Sequence, residues 1–197
     1  PKIGILSTGN ELVPVSVRPQ AGQVRDVNSY VIAAAVRDWG CFPVLYGIVR
    51  DEREALSTGI NKATEDCDVV LVSGGSSKDD RDMVSAIIDE RGEVLIHGIA
   101  IAPGKPTIIG KCNGKPVIGL PGHPASAFIV LIAIVRHLIT AMTGETASSV
   151  RTLQATLDQN VPSAKGREDY VRVAVKNGIA TPLFGKSGLL NTLVKST

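Results

Sequence analysis

Residues Asp68 to Asp82 read DVVLVSGGSSKDDRD: paired glycines, three serines, a lysine and several carboxylates crowd behind a short apolar run. Gly74 and Gly75 let a backbone turn tightly and bring amide donors close to an anion. Ser73, Ser76 and Ser77 add hydroxyls, and Asp79, Asp80 and Asp82 supply the hard oxygens that a divalent cation takes. The chemistry is electrostatic: a phosphate-bearing ligand held together with its cation. The alternative is a polar loop whose glycines serve only a turn, because the segment is neither a Walker A loop nor a GxGxxG fingerprint.

Three other polar segments have the same address, each directly after an apolar run. Thr8, Gly9 and Glu11 follow residues 3–6; Asp51 and Glu52 follow residues 44–49; Pro121, Gly122, His123, Pro124 and Ser126 follow residues 116–120. Glu11 reads either as a turn acid or as a carboxylate on Mg²⁺, which needs only one or two protein carboxylates beside waters and ligand phosphates. Asp51 and Asp82 are the acids expected to touch the ligand or its metal. Lys105, bracketed by Pro103 and Pro106, presents an ammonium on stiff backbone and suits a phosphate or oxyanion. His123 reads as a ligand donor, a general acid or an exposed capping imidazole. His97 and His137 fit ordinary structural roles. Covalent catalysis is excluded: there is no GxSxG elbow, the histidines lack metal-ligand spacing, and Cys112 has no evident base.

These loops need a scaffold that brings strand ends together. Strands are expected at residues 3–6, 44–49, 69–72 and 94–99, with short ones near 107–110 and 116–120 around an Asn113-Gly114 hairpin turn. Helices are expected at 30–39, capped by Asp26 or Asn28 and stopped by Gly40; at 53–65; at 83–91, closed by Gly92; and over a long apolar run after Pro124 that ends near Gly144. Alternating strands and helices imply a three-layer α/β/α, doubly wound, mostly parallel sheet, in which ligands bind beyond the carboxyl ends of strands. After residue 145 strand-like pieces (149–157, 169–174, 178–183) are broken by Pro162, Gly166 and Asn177-Gly178. The expected division is an α/β domain at 1–145 and a small all-β, barrel-like domain at 146–197, too small to be stable without a neighbour.

The whole chain sets bounds on function. Its 197 residues, 44% hydrophobic and 20% charged, carry a formal net charge of +2. Without a strong field or a ladder of aromatic rings, nucleic acid is a poor partner. Cys41, Cys67 and Cys112 form no disulfide framework or CxxC clamp, and Cys41 and Cys67 are expected in the core of a protein from a reducing compartment. No stretch is expected to reach membrane-spanning length, the nearest being 125–139, interrupted by Arg136 and His137, so cytoplasm is the default. The chain opens directly on a strand and reads as the C-terminal part of something longer.

With these residues in place, the chain resembles the molybdopterin molybdenumtransferase family of the MoeA and gephyrin E-domain type. STGNEL (7–12), GQVRDVNSY (22–30), the 68–82 segment, PGKP (103–106), GLPGHPAS (119–126), PSAKGREDYVRV (162–173) and GKSGLLNTL (185–193) occur in family order. The resemblance implies a MogA-like molybdopterin-binding domain followed by a β-barrel-like one. It also implies insertion of molybdate or tungstate into adenylylated molybdopterin with release of AMP, assisted by Mg²⁺. By position, Glu11, Asp51 and Asp82 match the family's functional acids, and Ser73, Gly74, Gly75, Ser76 and Ser77 its phosphate and pterin loop. Lys105 matches the lysine of its PGK motif, and Pro121 and Pro124 the prolines of its pterin-side loop.

Four departures stand out: Asn10 replaces an acid, Ala102 a lysine, His123 an Asn or Tyr, and residues 76–81 a glycine-containing loop. Either Lys78 and His123 make up the charge lost at Ala102, or the ligand preference differs, including tungstate for molybdate. The resemblance further implies a homodimer in the full-length protein and, for this length alone, weak turnover. Two other classes fit less well: a molybdopterin adenylyltransferase-like or nucleotide-handling domain, and a non-catalytic scaffold of the gephyrin type.

Overall fold

The computed structural model describes residues 1–74, 78–144, 152–185, 188 and 191–196, without the side chains of 78–82 and 191. The predicted site residues Gly75, Ser76 and Ser77 lie outside the described residues, as do the side chains of Lys78 and Asp82.

Element order begins β1 (Lys2–Thr8), β2 (Leu12–Val13), β3 (Val24–Arg25), α1 (Asn28–Asp38), β4 (Phe42–Val49), α2 (Arg53–Asp66), β5 (Val69–Gly74) and α3 (Lys78–Arg91). It continues β6 (Gly92–His97), β7 (Ile101–Ala102), β8 (Ile108–Cys112), β9 (Lys115–Pro121) and α4 (Pro124–Val130), which runs through a π-turn, Leu131–Val135, into α5 (Arg136–Thr143). The remainder holds β10 (Thr156–Leu157), β11 (Glu168–Asp169), β12 (Val173–Lys176), β13 (Ile179–Pro182) and α6 (Asn191–Val194).

One six-stranded sheet, ordered β4-β1-β5-β9-β8-β6, organises the α/β part. β4, β1, β5 and β9 are parallel, and β8 pairs antiparallel with both β9 and β6. Strict alternation along β5 explains the three layers. Val69 and Leu71 join Ile3, Ile5, Ile32 and Val130 on one face, whereas Val70 and Val72 join Leu56, Ile60 and Ile87 on the other. A strand buried on both faces reads as continuous apolar sequence, which is the signature of residues 69–72. The β8–β9 hairpin turns on Asn113 (φ 51°) and Gly114 (φ 75°), the paired positive φ values that an Asn-Gly turn supplies.

Several expectations are corrected. α3 starts at Lys78, so Asp79, Asp80 and Asp82 belong to its first turns and not to an open acidic loop. Acids there also complement the helix dipole, a local preference that makes a helix start look like a ligand loop. Gly92 follows the last residue of α3, as expected, but it also opens β6; a Cβ there would lie 1.9 Å from the Lys111 carbonyl oxygen, so the close strand approach requires glycine.

The 20-residue rod Pro124–Thr143 is, by length and composition, long and apolar enough to cross a membrane, contrary to expectation. It covers the sheet through Ala127, Val130, Leu131, Val135 and Ile139. Arg136 does not interrupt it, because its guanidinium lies over the Trp39 ring, 5.8 Å from the centroid. Cys112, like Cys41 and Cys67, is buried.

The tail is less regular than expected. β10, β13 and β12 form a three-stranded sheet, and α6 adds a helical turn to what read as all strand. β11 pairs in parallel with β7, with Glu168 N–H donating to the Ala100 carbonyl and Tyr170 N–H to that of Ala102, each at 2.8 Å. The small unit therefore leans on the chain just before Pro103.

Two tests follow from this packing. Gly92→Ala should cost about 1–3 kcal/mol of stability by chemical denaturation, because a backbone carbonyl cannot move aside as a side chain can. Asp68 ties the amino-terminal ends of β1 and β9, at the end of the sheet opposite the strand carboxyl termini, accepting from Lys2 N–H at 2.8 Å and facing Lys115 Nζ at 3.6 Å. The Lys2 backbone hydrogen bond, chiefly, holds the Asp68 carboxyl below its ordinary range. A lowered folded-state pKa gives stability that is present above the unfolded value of about 4 and lost as pH falls through the folded one. Asp68→Asn should therefore lower stability at neutral pH and flatten its fall below about pH 4, where the protonated wild-type carboxyl and the amide converge.

Candidate ligand cavity

At the carboxyl ends of β1, β5 and β9 the chain encloses a cavity of about 420 Å³. β1 delivers Thr8 and then Glu11; β5 delivers Ser73 and Gly74; the β9–α4 connection delivers Gly122, His123 and Pro124. Leu12, Val24 and Val27 supply apolar wall, and Gly188 reaches in from the tail. A Cβ on Gly188 would stand 3.6 Å from the His123 ring, so the small unit touches the site at that loop.

Gly74 is needed where β5 passes β1. A Cβ there would lie 2.1 Å from Thr8 Cγ2 and 2.4 Å from the Thr8 carbonyl oxygen. The glycine thus serves strand packing first, and the open approach it leaves is a consequence. The Glu11 carboxylate folds back over Gly9, within 2.7 Å of where a Cβ would be.

Of the predicted site residues, Thr8, Glu11, Ser73, Gly74, Gly122, His123 and Pro124 line one cavity. Others lie beside it. Asp51 accepts a hydrogen bond from the Thr8 hydroxyl and one of 2.9 Å from Asn10 N–H, so it braces the loop that carries Glu11. Lys105 is exposed and does not line the cavity, although the next residue, Pro106, shares a small depression with Thr8 and Gly74. Pro121 is buried as the last residue of β9, paired with Gly74, and Ser126 is buried in the first turn of α4.

Among the described residues, no three His, Cys, Asp or Glu side chains converge. Glu11 is the described member of the expected metal set that lines the cavity. It is exposed.

Sequence reasoning treated Asp26 and Asn28 only as alternative caps for α1. Asp26 does cap it: Oδ1 accepts from Ser29 N–H at 3.2 Å and Oδ2 from the Ser29 hydroxyl at 2.7 Å. The same carboxylate accepts from the Ser7 hydroxyl at 2.9 Å, which fastens α1 to β1. Asn28 Nδ2 donates to Ser73 Oγ and to the Gly122 carbonyl, both at 2.8 Å, which fastens α1 to β5 and to the β9–α4 connection. Both side chains line the cavity. Their signal was the DVN triplet: two amide- or carboxyl-bearing residues at a helix start, where one cap suffices.

Replacing Asp26 by alanine strands two buried hydroxyls and one helix amide. The expected cost is about 1–3 kcal/mol by chemical denaturation, with Asp38→Ala on the exposed end of α1 near zero. Equal small effects at both positions would count against the tie between α1 and β1.

The arrangement agrees with what known proteins show. The family described as "Probable molybdopterin binding domain" matches residues 4–141, and "MoeA C-terminal region (domain IV)" matches residues 154–196. The molybdopterin molybdenumtransferase of Nostoc sp. is 37% identical over 73% of this chain and 34% of its own length. That of Haemophilus influenzae is 33% identical over 87% of this chain and 43% of its own length. The crystal structure of a molybdopterin biosynthesis MoeA protein from Pyrococcus horikoshii superimposes with a TM-score of 0.88 at 36% identity, covering 100% of this chain and 48% of that one. The chain spans about half the length, or less, of these relatives. By its sheet, its cavity and its strand-rich tail, the chain belongs to the MoeA family, carrying that family's molybdopterin-binding domain and its domain IV.

Proposed function

We propose that this chain is the catalytic part of a molybdopterin molybdenumtransferase in molybdenum cofactor biosynthesis. It takes adenylylated molybdopterin and molybdate, or tungstate, and releases AMP as the metal enters the dithiolene. The observation that carries this reading is the convergence of Glu11, Ser73, Gly74 and the Gly122–His123–Pro124 segment on one cavity at three parallel strand ends.

The described residues suit a large anionic ligand with a flat ring. Apolar wall from Leu12, Val24 and Val27 accepts ring surface, while Gly74 leaves backbone open to phosphate. Glu11, with Asp51 behind it and Asp82 on α3, would hold Mg²⁺. The ion would neutralise adenylate charge and favour AMP as leaving group. Lys105, at the rim, would approach the phosphate or the oxoanion once ligand extends past the cavity mouth. Domain boundaries near 145, a cytoplasmic location and a homodimer in the longer protein go with this reading.

Calorimetric titration of the chain with adenylylated molybdopterin, with and without Mg²⁺, followed by assay of AMP on adding molybdate or tungstate, tests it. Mg²⁺ should tighten binding, and AMP should appear on addition of oxoanion. Glu11→Gln should lower AMP release about 100-fold with the fold intact by circular dichroism. Consumption of ATP with free molybdopterin, in place of AMP release from the adenylylated form, would turn the assignment to an adenylyltransferase.

A further inference from the structure

Asn28 holds more than its two neighbours. Its side chain lies in a residue only 8% exposed, and both Nδ2 hydrogens are spent on Ser73 Oγ and the Gly122 carbonyl. A carbonyl accepts and never donates, so the Gly122 contact fixes which end of the amide is nitrogen. The other end, Oδ1, is then an acceptor of fixed orientation. It has no hydrogen-bond partner among the described residues, and it is not among their fully buried atoms without a partner, which comprise Asn61 Oδ1 alone. Asn28 lines the cavity, so that oxygen is accessible from it.

An acceptor of fixed orientation, without a partner among the described residues and open to the cavity, is satisfied by water until a ligand fills the space, and a ligand that displaces the water must bring a donor, since leaving the acceptor dry costs more than an ordinary hydrogen bond gains. Its surroundings select the donor. Glu11 contributes only acceptors to the same cavity, the Asp26 carboxylate is engaged by Ser7 and Ser29, and Leu12, Val24 and Val27 present apolar surface suited to a flat ring beside the donor Arg25. At Asn28 Oδ1, an acceptor beside that apolar surface fits a heterocycle edge that carries amino hydrogens and fits poorly a ring oxygen or bare nitrogen at the same point.

We infer that Asn28 Oδ1 reads the exocyclic amino group of a 2-amino-4-oxopteridine ring. This rests on the pterin reading of the cavity and adds a residue that selects the ring by its donor. Asn28 is thus a specificity determinant and also the clamp that positions Ser73 and Gly122.

The two roles separate in a ratio of affinities. Pterin and its des-amino analogue pteridin-4-one are titrated into the full 197-residue chain, and binding is followed by pteridine fluorescence. Pterin should bind about tenfold more tightly, the value of one well-made buried hydrogen bond. Asn28→Ala should bring that ratio to about one. Loss of the clamp alone would weaken both rings equally and leave the ratio standing, which would overturn the inference. Asn28→Leu, which keeps side-chain volume, serves the same comparison if the alanine protein does not fold. Equal binding of both rings by the wild-type chain would overturn the inference and leave the pterin reading in place. Binding of neither ring would overturn both.

Discussion

The cavity exists because the first turn of α1 is tied to three strand ends at once. Asp26 reaches β1 through Ser7, and Asn28 reaches β5 through Ser73 and the β9–α4 connection through Gly122. Parallel strands end at different heights, and nothing in their own ladder holds the loops beyond them in common register. Two short buried side chains do that, Asp26 as an acceptor and Asn28 as a donor. Each hydrogen bond contributes about 1 kcal/mol, but breaking one leaves a buried partner unsatisfied, so the network holds position more strongly than its sum suggests.

The sheet beneath follows from burial on both faces. Val69 and Leu71 face α1 and α4, Val70 and Val72 face α2 and α3, and no polar residue interrupts the run until Ser73, where the strand leaves the core. The change from apolar to polar sequence therefore marks both the edge of the core and the floor of the site. At that edge Gly74 is demanded by the approach of Thr8. A glycine required for packing and a glycine useful for binding a phosphate are here the same residue.

The Asp51 carboxylate shows how a chemical role and a structural role can share an address. It sits just after β4, where a metal ligand would be expected, yet its oxygens take the Thr8 hydroxyl and the Asn10 amide. Those contacts shape the loop on which Glu11 rides. The tail acts at a similar remove, since β11 adds to β7 next to Pro103 and Gly188 meets His123. A unit too small for a core of its own thus borrows stability from the α/β part and in turn contributes wall to the cavity.

Sequence by itself determined the layered class, the order of strands and helices, the Asn113-Gly114 hairpin and the loops that meet at strand ends. These depend on local periodicity and turn chemistry, which a linear chain displays directly. It misplaced the start of α3 because acids that favour a helix N-terminus also resemble a ligand loop. It read Gly92 only as a helix stop because a close contact with Lys111, 19 positions away, is invisible along the chain. Only the tertiary structure decided that Asn28 bridges Ser73 and Gly122, 45 and 94 residues distant, and that Glu11 enters the cavity while Asp51 braces the loop behind it. Which of several polar groups faces a ligand is set by what occupies its hydrogen-bonding positions in the fold, and those partners come from remote parts of the chain.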